Sequence, residues 1–271
     1  MGAPFFAPKN HLEDCTLTKA QPLAAGSPQI WSIPQSADGF PASAAIDSRP
    51  GTIVRFASLA VGALVAQFAA GKAADCIGVI NHNLPADAQL FLQGSNDGVA
   101  WADVSNLSAL LGEKKFHKRF ALATWVYWAL TLRVLGSLGA PWELGEWFLG
   151  SGTLFTRNFG WGLVDDGVGG RNVDVATPYG IVGSKHLNML DFYEGDAAEG
   201  LTPAELAEWK SLVIGTKFGA VPCLFAIDAD NPKAILGRVR IEEWHPRLVS
   251  VNRYGGVELR VEELPWGKTA A

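Results

Sequence analysis

In the run YWALTLRVL (127–135), Tyr127, Ala129, Thr131, Arg133 and Leu135 fall on one side of an extended chain, and Trp128, Leu130, Leu132 and Val134 on the other. The second side is wholly apolar, so a strand here must lie on a core. Similar short runs precede it: TIVRF (52–56), LVAQF (64–68), CIGVI (76–80), AQLFLQGS (88–95), WADV (101–104) and KRFAL (118–122). Frequent glycine and proline cut these runs apart, which is the texture of a β protein.

The pattern resumes after residue 180. GSKHLNMLDFYEGD (183–196), VPCLFAID (221–228), AILGRVRIEEW (234–244) and GVELRVEEL (256–264) read as strands. In the last, Val257, Leu259, Val261 and Glu263 share one face, and Glu258, Arg260 and Glu262 the other. One helix is well marked. Thr202 is placed to cap it, Pro203 takes its first position, and Glu205 completes a capping box. Leu206, Trp209 and Val213 then form an apolar stripe, and Gly215 or Gly219 ends it, giving a helix at about 203–215 that lies on a sheet.

A chain of 271 residues suits one large or two ordinary domains. Hydrophobic residues make up 48% and charged residues 18%, too apolar a balance for disorder. A net charge of −5 argues against a nucleic-acid partner, which needs clustered Lys and Arg. The one basic run, GEKKFHKRF (112–120), is expected to be a solvated loop between strands, with an anion site as its alternative. FASLAVGALVAQFAAG (56–71) is shorter than the roughly 20 residues of a spanning helix and contains Gln67, so buried strand and turn are expected, with no membrane insertion. The start, MGAPFFAPKNHLED, lacks a secretory pattern, so the protein is expected to stay where it is made. Cys15, Cys76 and Cys223 are too few and too scattered for a disulfide framework or a zinc site, and free thiols are expected.

INHNLPADAQLFLQGSNDGVAWADV (80–104) reads as a strand, a reversal at Asn96-Asp97-Gly98, and a return strand from Trp101. His82, Asn83, Asn96 and Asp97 are candidate residues of a glycan-facing loop, although turn chemistry alone accounts for them. DADNPKAILG (228–237) begins like an EF-hand loop, but Pro232 takes the next ligand position and the turn glycine is absent, which leaves a turn between strands. GWGLVDDGVGGRN (160–172) matches no phosphate-binding loop and is expected to be an exposed loop, with Asp165 and Asp166 too few to claim a cation. Catalysis in 183–196 requires Ser184 or His186 to work with Asp191 or Glu194, and neither GxSxG nor HExxH is present. No catalytic residue, cofactor or metal is assigned, and the chain is expected not to be an enzyme.

At a larger scale, CIGVINHNLPADAQLFLQGSNDGVAW closed by YWALTLRVL resembles discoidin-like, galactose-binding-type jelly rolls over about residues 40–136. That resemblance implies a β-sandwich whose end loops can bind glycans. GEWFLGSGTLFTRNFGWG, the LTPAEL helix, the FAIDADNP turn and VELRVEELPWGK, over about residues 145–268, resemble structural proteins of tailed-bacteriophage tail tips. The expected fold is mainly β: an N-terminal jelly-roll-like sandwich with an amino-terminal arm (1–140), then a β-rich assembly domain with one helix (141–271), joined within LGSLGAPWELGEW (135–147).

This layout is similar to distal tail or baseplate proteins. It implies a virion structural protein at the tail tip, assembled in the host cytoplasm as a ring, hexamer or trimer. The ring would join the tail tube to hub, tip or fibre proteins. The alternative is a carbohydrate-binding module that contacts host surface glycans. Trp142, Trp147, Trp161 and Trp266 lie near turns or the terminus, where either intersubunit contact or ordinary core accounts for them.

Overall fold

The computed structural model describes residues 3–17, 42–56, 61–133, 140–157, 164–177, 180–196, 200–226, 228–240, 246–255 and 258–264. The strands begin with β1 (Phe5–Ala7), β2 (Thr16–Leu17), β3 (Val54–Arg55), β4 (Val61–His82), β5 (Gln89–Ser95) and β6 (Ala102–Asn106). They continue with β7 (Lys115–Arg133), β8 (Glu143–Gly150), β9 (Thr153–Leu154), β10 (Val164–Thr177) and β11 (Gly180–Asp196). After α1 (Pro203–Gly215) come β12 (Cys223–Ala226), β13 (Ile235–Arg240), β14 (Arg247–Ser250), β15 (Arg253–Gly255) and β16 (Glu258–Glu263).

A β-sandwich is made here from a single antiparallel sheet, ordered β3-β8-β4-β7-β5-β6 with β2 added to β4. β4 and β7 are long enough to belong to both layers. Their ladder slips between Gln67 and Lys72 and again between Ala74 and Cys76, so the pair bends there. On one side of the bend β4 pairs with residues 127–133 of β7, and that layer continues into β5. On the other side it pairs with 115–119, and the layer continues into β8 and β3. Leu64, Leu92, Trp128 and Leu130 from the first layer meet Ile77, Val79, Phe116 and Trp147 from the second in one buried cluster.

Two local expectations are corrected by this bend. Residues 61–71 do not turn; small residues around Gly71, where a Cβ would sit 3.0 Å from Thr124 Cγ2, let one strand change layers. The basic run expected as a loop supplies strand from Lys115 onward. Trp128, Leu130 and Leu132 do face the core, as their alternation requires.

The second sheet has the order β10-β11-β16-β13-β12-β1-β9 and takes its strand β1 from the amino-terminal arm. Alternation gives it two buried faces. Phe6, Cys223, Phe225, Ile235 and Val239 pack under α1 through Trp209 and Leu212, and Phe155 stacks on Trp209 at 4.3 Å. Phe5, Ala7, Leu224, Ala226 and Leu236 point the opposite way, onto Cys76, Ile80 and Phe148 on the outside of the sandwich. The result is four layers: two sandwich layers, the second sheet, and the helix. Gly78 sets the closest approach, because a Cβ there would lie 2.8 Å from Leu224 Cδ1 and 3.3 Å from Phe148 Cβ. The chain changes sheets after Gly150, β8 still belonging to the sandwich.

The helix forms as its cap dictates: Thr202 Oγ1 accepts from Glu205 N at 3.3 Å, and Glu205 Oε2 accepts from Thr202 N at 2.7 Å. Lys217, Phe218 and Gly219 follow in left-handed conformations, and a Cβ on Gly219 would lie 2.0 Å from the Val239 carbonyl oxygen. The glycine-rich stretch expected as a loop is corrected as well, since it becomes β10 from Val164 onward. β10 pairs with β11 from Val164↔Glu194 to Thr177↔Gly180, whereas β16 joins β11 only at Phe192 to Asp196. Beyond that base, among the described residues, the two strands run on as a ribbon with no third strand.

Asn10 fastens the arm to β8. Its amide donates to Glu146 Oε1 at 3.0 Å and to the Trp147 carbonyl at 2.9 Å, while its Oδ1 accepts from Leu12 N and Leu149 N. Glu146 is fully buried. Burial first, and then the neighbouring Asp47 charge, raise its pKa well above the usual carboxyl value, against the pull of the Asn10 amide.

Gly78→Val is expected to cost about 2 kcal/mol by overpacking the sandwich against the second sheet. Gly112→Ala, where a Cβ meets nothing within 4 Å, is expected to stay within about 0.5 kcal/mol of the parent in the same urea titration. Equal loss in both variants would sink the close-approach account. Glu146 holds its proton more tightly folded than unfolded, so the folded state loses stability as pH rises from the ordinary value of 4.5 toward the raised one. Glu146→Gln should therefore match the parent near pH 4 and exceed it at pH 7; a margin that does not change with pH would contradict this.

Candidate functional site

Between Lys115 and Arg119, β7 pairs with β4 on one side and, among the described residues, has no strand on its other edge, because β5 pairs with β7 at residues 127–133. That edge receives the turn after β12. His117 N donates to the Pro232 carbonyl at 2.8 Å, and the same oxygen lies 3.1 Å from His117 Nδ1. The turn is self-capped: Asp228 Oδ1 accepts from Asp230 N at 2.9 Å, and Asn231 Oδ1 accepts from Lys233 N at 3.0 Å. Ala229 N also donates to the Ala3 carbonyl, so the arm holds the turn from beneath.

A cleft of about 310 Å³ remains between the strand edge and the turn. Leu110, Ala229 and Pro232 make an apolar strip along it, and His117, Lys118, Arg119, Asp230 and Asn231 bring polar groups to its walls. The His117 ring is buried and stacked on Phe5, with centroids 5.6 Å apart and planes 12° apart. The Arg119 guanidinium lies over the same phenyl ring, 5.3 Å from its centroid. Burial lowers the His117 pKa, with the Pro232 and Ala229 carbonyls opposing, so the ring is neutral at neutral pH. A carbonyl oxygen can only accept, which places the ring proton on Nδ1, while Nε2 is buried without a hydrogen-bond partner. Lys118 Nζ donates to the Asn106 carbonyl at 2.7 Å. The lining holds one carboxylate, Asp230, and no serine, threonine or cysteine.

The four loop residues singled out in the sequence are not brought to one surface. His82 and Asn83 precede β5, and Asn96 and Asp97 follow it, roughly 20 Å away along a seven-residue strand. His82 is buried, with Nε2 2.8 Å from the Glu113 carbonyl and Nδ1 accepting from Leu84 N; burial takes its pKa down to about 4. Asn83 is exposed but ties its loop to the start of β8, donating to the Pro141 carbonyl and accepting from Glu143 N, each at 2.8 Å. Asp97 accepts from Val99 N and Ala100 N at the hairpin tip, and these bonds hold its carboxyl below the usual range. Asn96 is exposed on the same tip, where Gly98 lies against the Tyr127 ring, and that ring meets Trp101 edge-on at 6.4 Å.

Two of the four tryptophans proposed for intersubunit contact are already buried within the chain. Trp142 stacks on Phe56 at 4.0 Å, and Trp147 is fully covered in the sandwich core. Of the two readings offered for them, ordinary core holds for these two residues and intersubunit contact does not, since their apolar surface is spent on the fold. Trp161 and Trp266 lie outside the described residues. The cysteines are free, with Cys76 and Cys223 buried. Among the described residues no three His, Cys, Asp or Glu side chains converge to hold a metal ion, and no helix is long and apolar enough to cross a membrane.

The sequence offered an anion site in one wall, 112–120, only as the alternative to a solvated loop, and marked no site in the other. GEKKFHKRF reads as a solvated basic stretch and DADNPK as a turn, and only the packing of the second sheet on the sandwich brings residue 117 to residue 232.

No family model matches the chain, and no curated protein matches it. Several solved structures are similar to part of it at low identity. One is CBM32-1 from a family 31 glycoside hydrolase of Clostridium perfringens: 12% identity, TM-score 0.40, covering 53% of this chain and 98% of that one. Chitosan-binding module 1 from a chitosanase/glucanase of Paenibacillus sp. IK-5 has 17% identity and TM-score 0.39, covering 52% of this chain and 98% of the module. The lectin domain of lectinolysin, solved with Lewis B antigen, has 12% identity and TM-score 0.37, covering 44% of this chain and 89% of that one.

Proposed function

We propose that this protein binds carbohydrate without transforming it, taking one sugar residue of a glycan into the cleft between β7 and the 228–232 turn. The observation that carries the reading is the cleft's two-sided chemistry. A pyranose has an apolar C–H face and a rim of hydroxyls that both donate and accept. Leu110, Ala229 and Pro232 suit the first, and Arg119, Asn231 and Asp230 supply donors and acceptors for the second. The cleft volume lies at the small end of ligand sites, the size of a single ring.

A virion structural role is the second reading, favoured by the β10–β11 ribbon. A two-stranded ribbon is marginal in water and presents open edges. Neighbouring copies of the chain in a closed ring would cover them, as in a phage tail tip where such a ring meets tube, hub and fibre proteins. The two readings are compatible, with the ring presenting the sugar sites.

A nuclear magnetic resonance titration with mono- and disaccharides should shift the Asn231 and His117 signals with a Kd near 1 mM, about 4 kcal/mol of binding. Asn231→Ala should weaken that binding about fivefold, the worth of roughly 1 kcal/mol for one hydrogen bond. Unmoved cleft signals across the panel would refute sugar binding at this place. For the second reading, light scattering across a range of concentrations should give the mass of a trimer or hexamer, the closed cyclic forms. A monomer throughout would remove self-assembly as the role of the ribbon.

A further inference from the structure

We infer that the sugar this cleft selects is acidic, a hexuronate whose carboxylate sits on Arg119 and whose hydroxyls meet Asp230 and Asn231; this rests on the carbohydrate reading above. Arg119 and Asp230 line the same small cleft with opposite charges, and no ion pair within 4 Å joins them. The Arg119 guanidinium lies 5.3 Å from the Phe5 ring centroid, and the residue is exposed and lines the cleft. Asp230 donates its backbone N–H to Asp228, and its carboxylate is exposed. Opposite charges this near, held apart by separate supports, are complementary to a ligand that carries an anion at one edge and hydrogen-bond donors at the other.

Other ligand classes fit less well. A neutral hexose offers the fork no charge-assisted partner, whereas a carboxylate matches it with two parallel bonds. A phosphate dianion would satisfy Arg119 but meet the Asp230 carboxylate across a cleft of one-ring size. A hexuronate is a monoanion with its charge at C5 and hydroxyls around the rest of the ring. With the carboxylate on Arg119, its 2- and 3-hydroxyls turn toward the 230–231 turn, where Asp230 accepts and the Asn231 amide donates. Lys118 also lines the cleft, and its ammonium adds positive charge to that wall while donating to the Asn106 carbonyl.

The test is calorimetric titration of the full chain with galacturonate and glucuronate beside galactose and glucose, at low and high salt. A uronate is expected to bind at least tenfold more tightly than its neutral parent, and the advantage should shrink as salt screens it. Arg119→Gln should collapse that advantage. Because Arg119 is exposed, the variant is expected to fold, and an unchanged Phe5–His117 resonance pattern checks that it has. Equal affinity for uronate and neutral parent overturns the acidic assignment while leaving sugar binding intact. Failure of all four sugars to bind overturns both. A uronate preference that survives Arg119→Gln overturns the role given to Arg119.

Discussion

The fold depends on one short strand in an unexpected place. β1 sits between β9 and β12, pairing Phe5 with both Leu154 and Ala226, so three residues from the start of the chain close a sheet otherwise built from residues beyond 150. Phe6 faces the helix layer and Phe5 faces the sandwich, each fully buried, and burying such a side chain stabilises by roughly 1.5–3 kcal/mol. Both layer contacts therefore share this strand. The cleft shares it too, since Phe5 supports His117 and Arg119, and Ala3 receives the turn that forms the opposite wall.

Much of the secondary structure was legible because its causes are local. The cap at Thr202 is set by residues three positions apart, and the helix runs from Pro203 to Gly215 as those residues require. Period-two alternation placed the inward faces of β7 and β16 correctly, Val261 and Glu263 both being buried. What misled was length. β4 and β7 each contain segments that look like separate strands, and the bend between the layers is made by ladder slips at small residues rather than by turn chemistry. Such a slip is a relation between two strands and leaves no mark in either one. The same limit applied to β10, whose glycines read as a loop although a ribbon partner on β11 makes it a strand.

The cleft was illegible for a related reason. A basic run and an acidic turn, far apart in sequence, were each adequately explained on their own terms. They meet because Gly78 lets Leu224 approach the sandwich and because the outer edge of β7 needs a partner for its His117 N–H, which Pro232 supplies. The loop residues chosen from sequence answered a different need. His82, Asn83 and Asp97 have polar residues' usual work at strand ends, satisfying backbone groups where ladders stop. Trp142 and Trp147 show the converse, since proximity to turns did not keep them out of the core.

A site of this size also constrains how it can be used. If the proposed sugar binding holds, one ring held by a few hydrogen bonds would bind with a Kd near 1 mM, and a ligand at a hundred times its Kd stabilises the folded state by only about 2.7 kcal/mol. A lone copy would therefore hold a glycan surface briefly. Several copies on one rigid frame turn later binding events into intramolecular ones, and avidity can then rise by a factor of about 10² to 10⁴ without any new contact. The ribbon and the cleft thus make complementary demands. A ribbon needs neighbouring strands to cover its edges, and a weak sugar site needs neighbouring sites to be useful. Under the two proposed readings, assembly of identical chains would meet both requirements at once, and each cleft would be held in a fixed relation to its ribbon because the same buried strand, β1, underlies the cleft walls and closes the sheet that the ribbon extends.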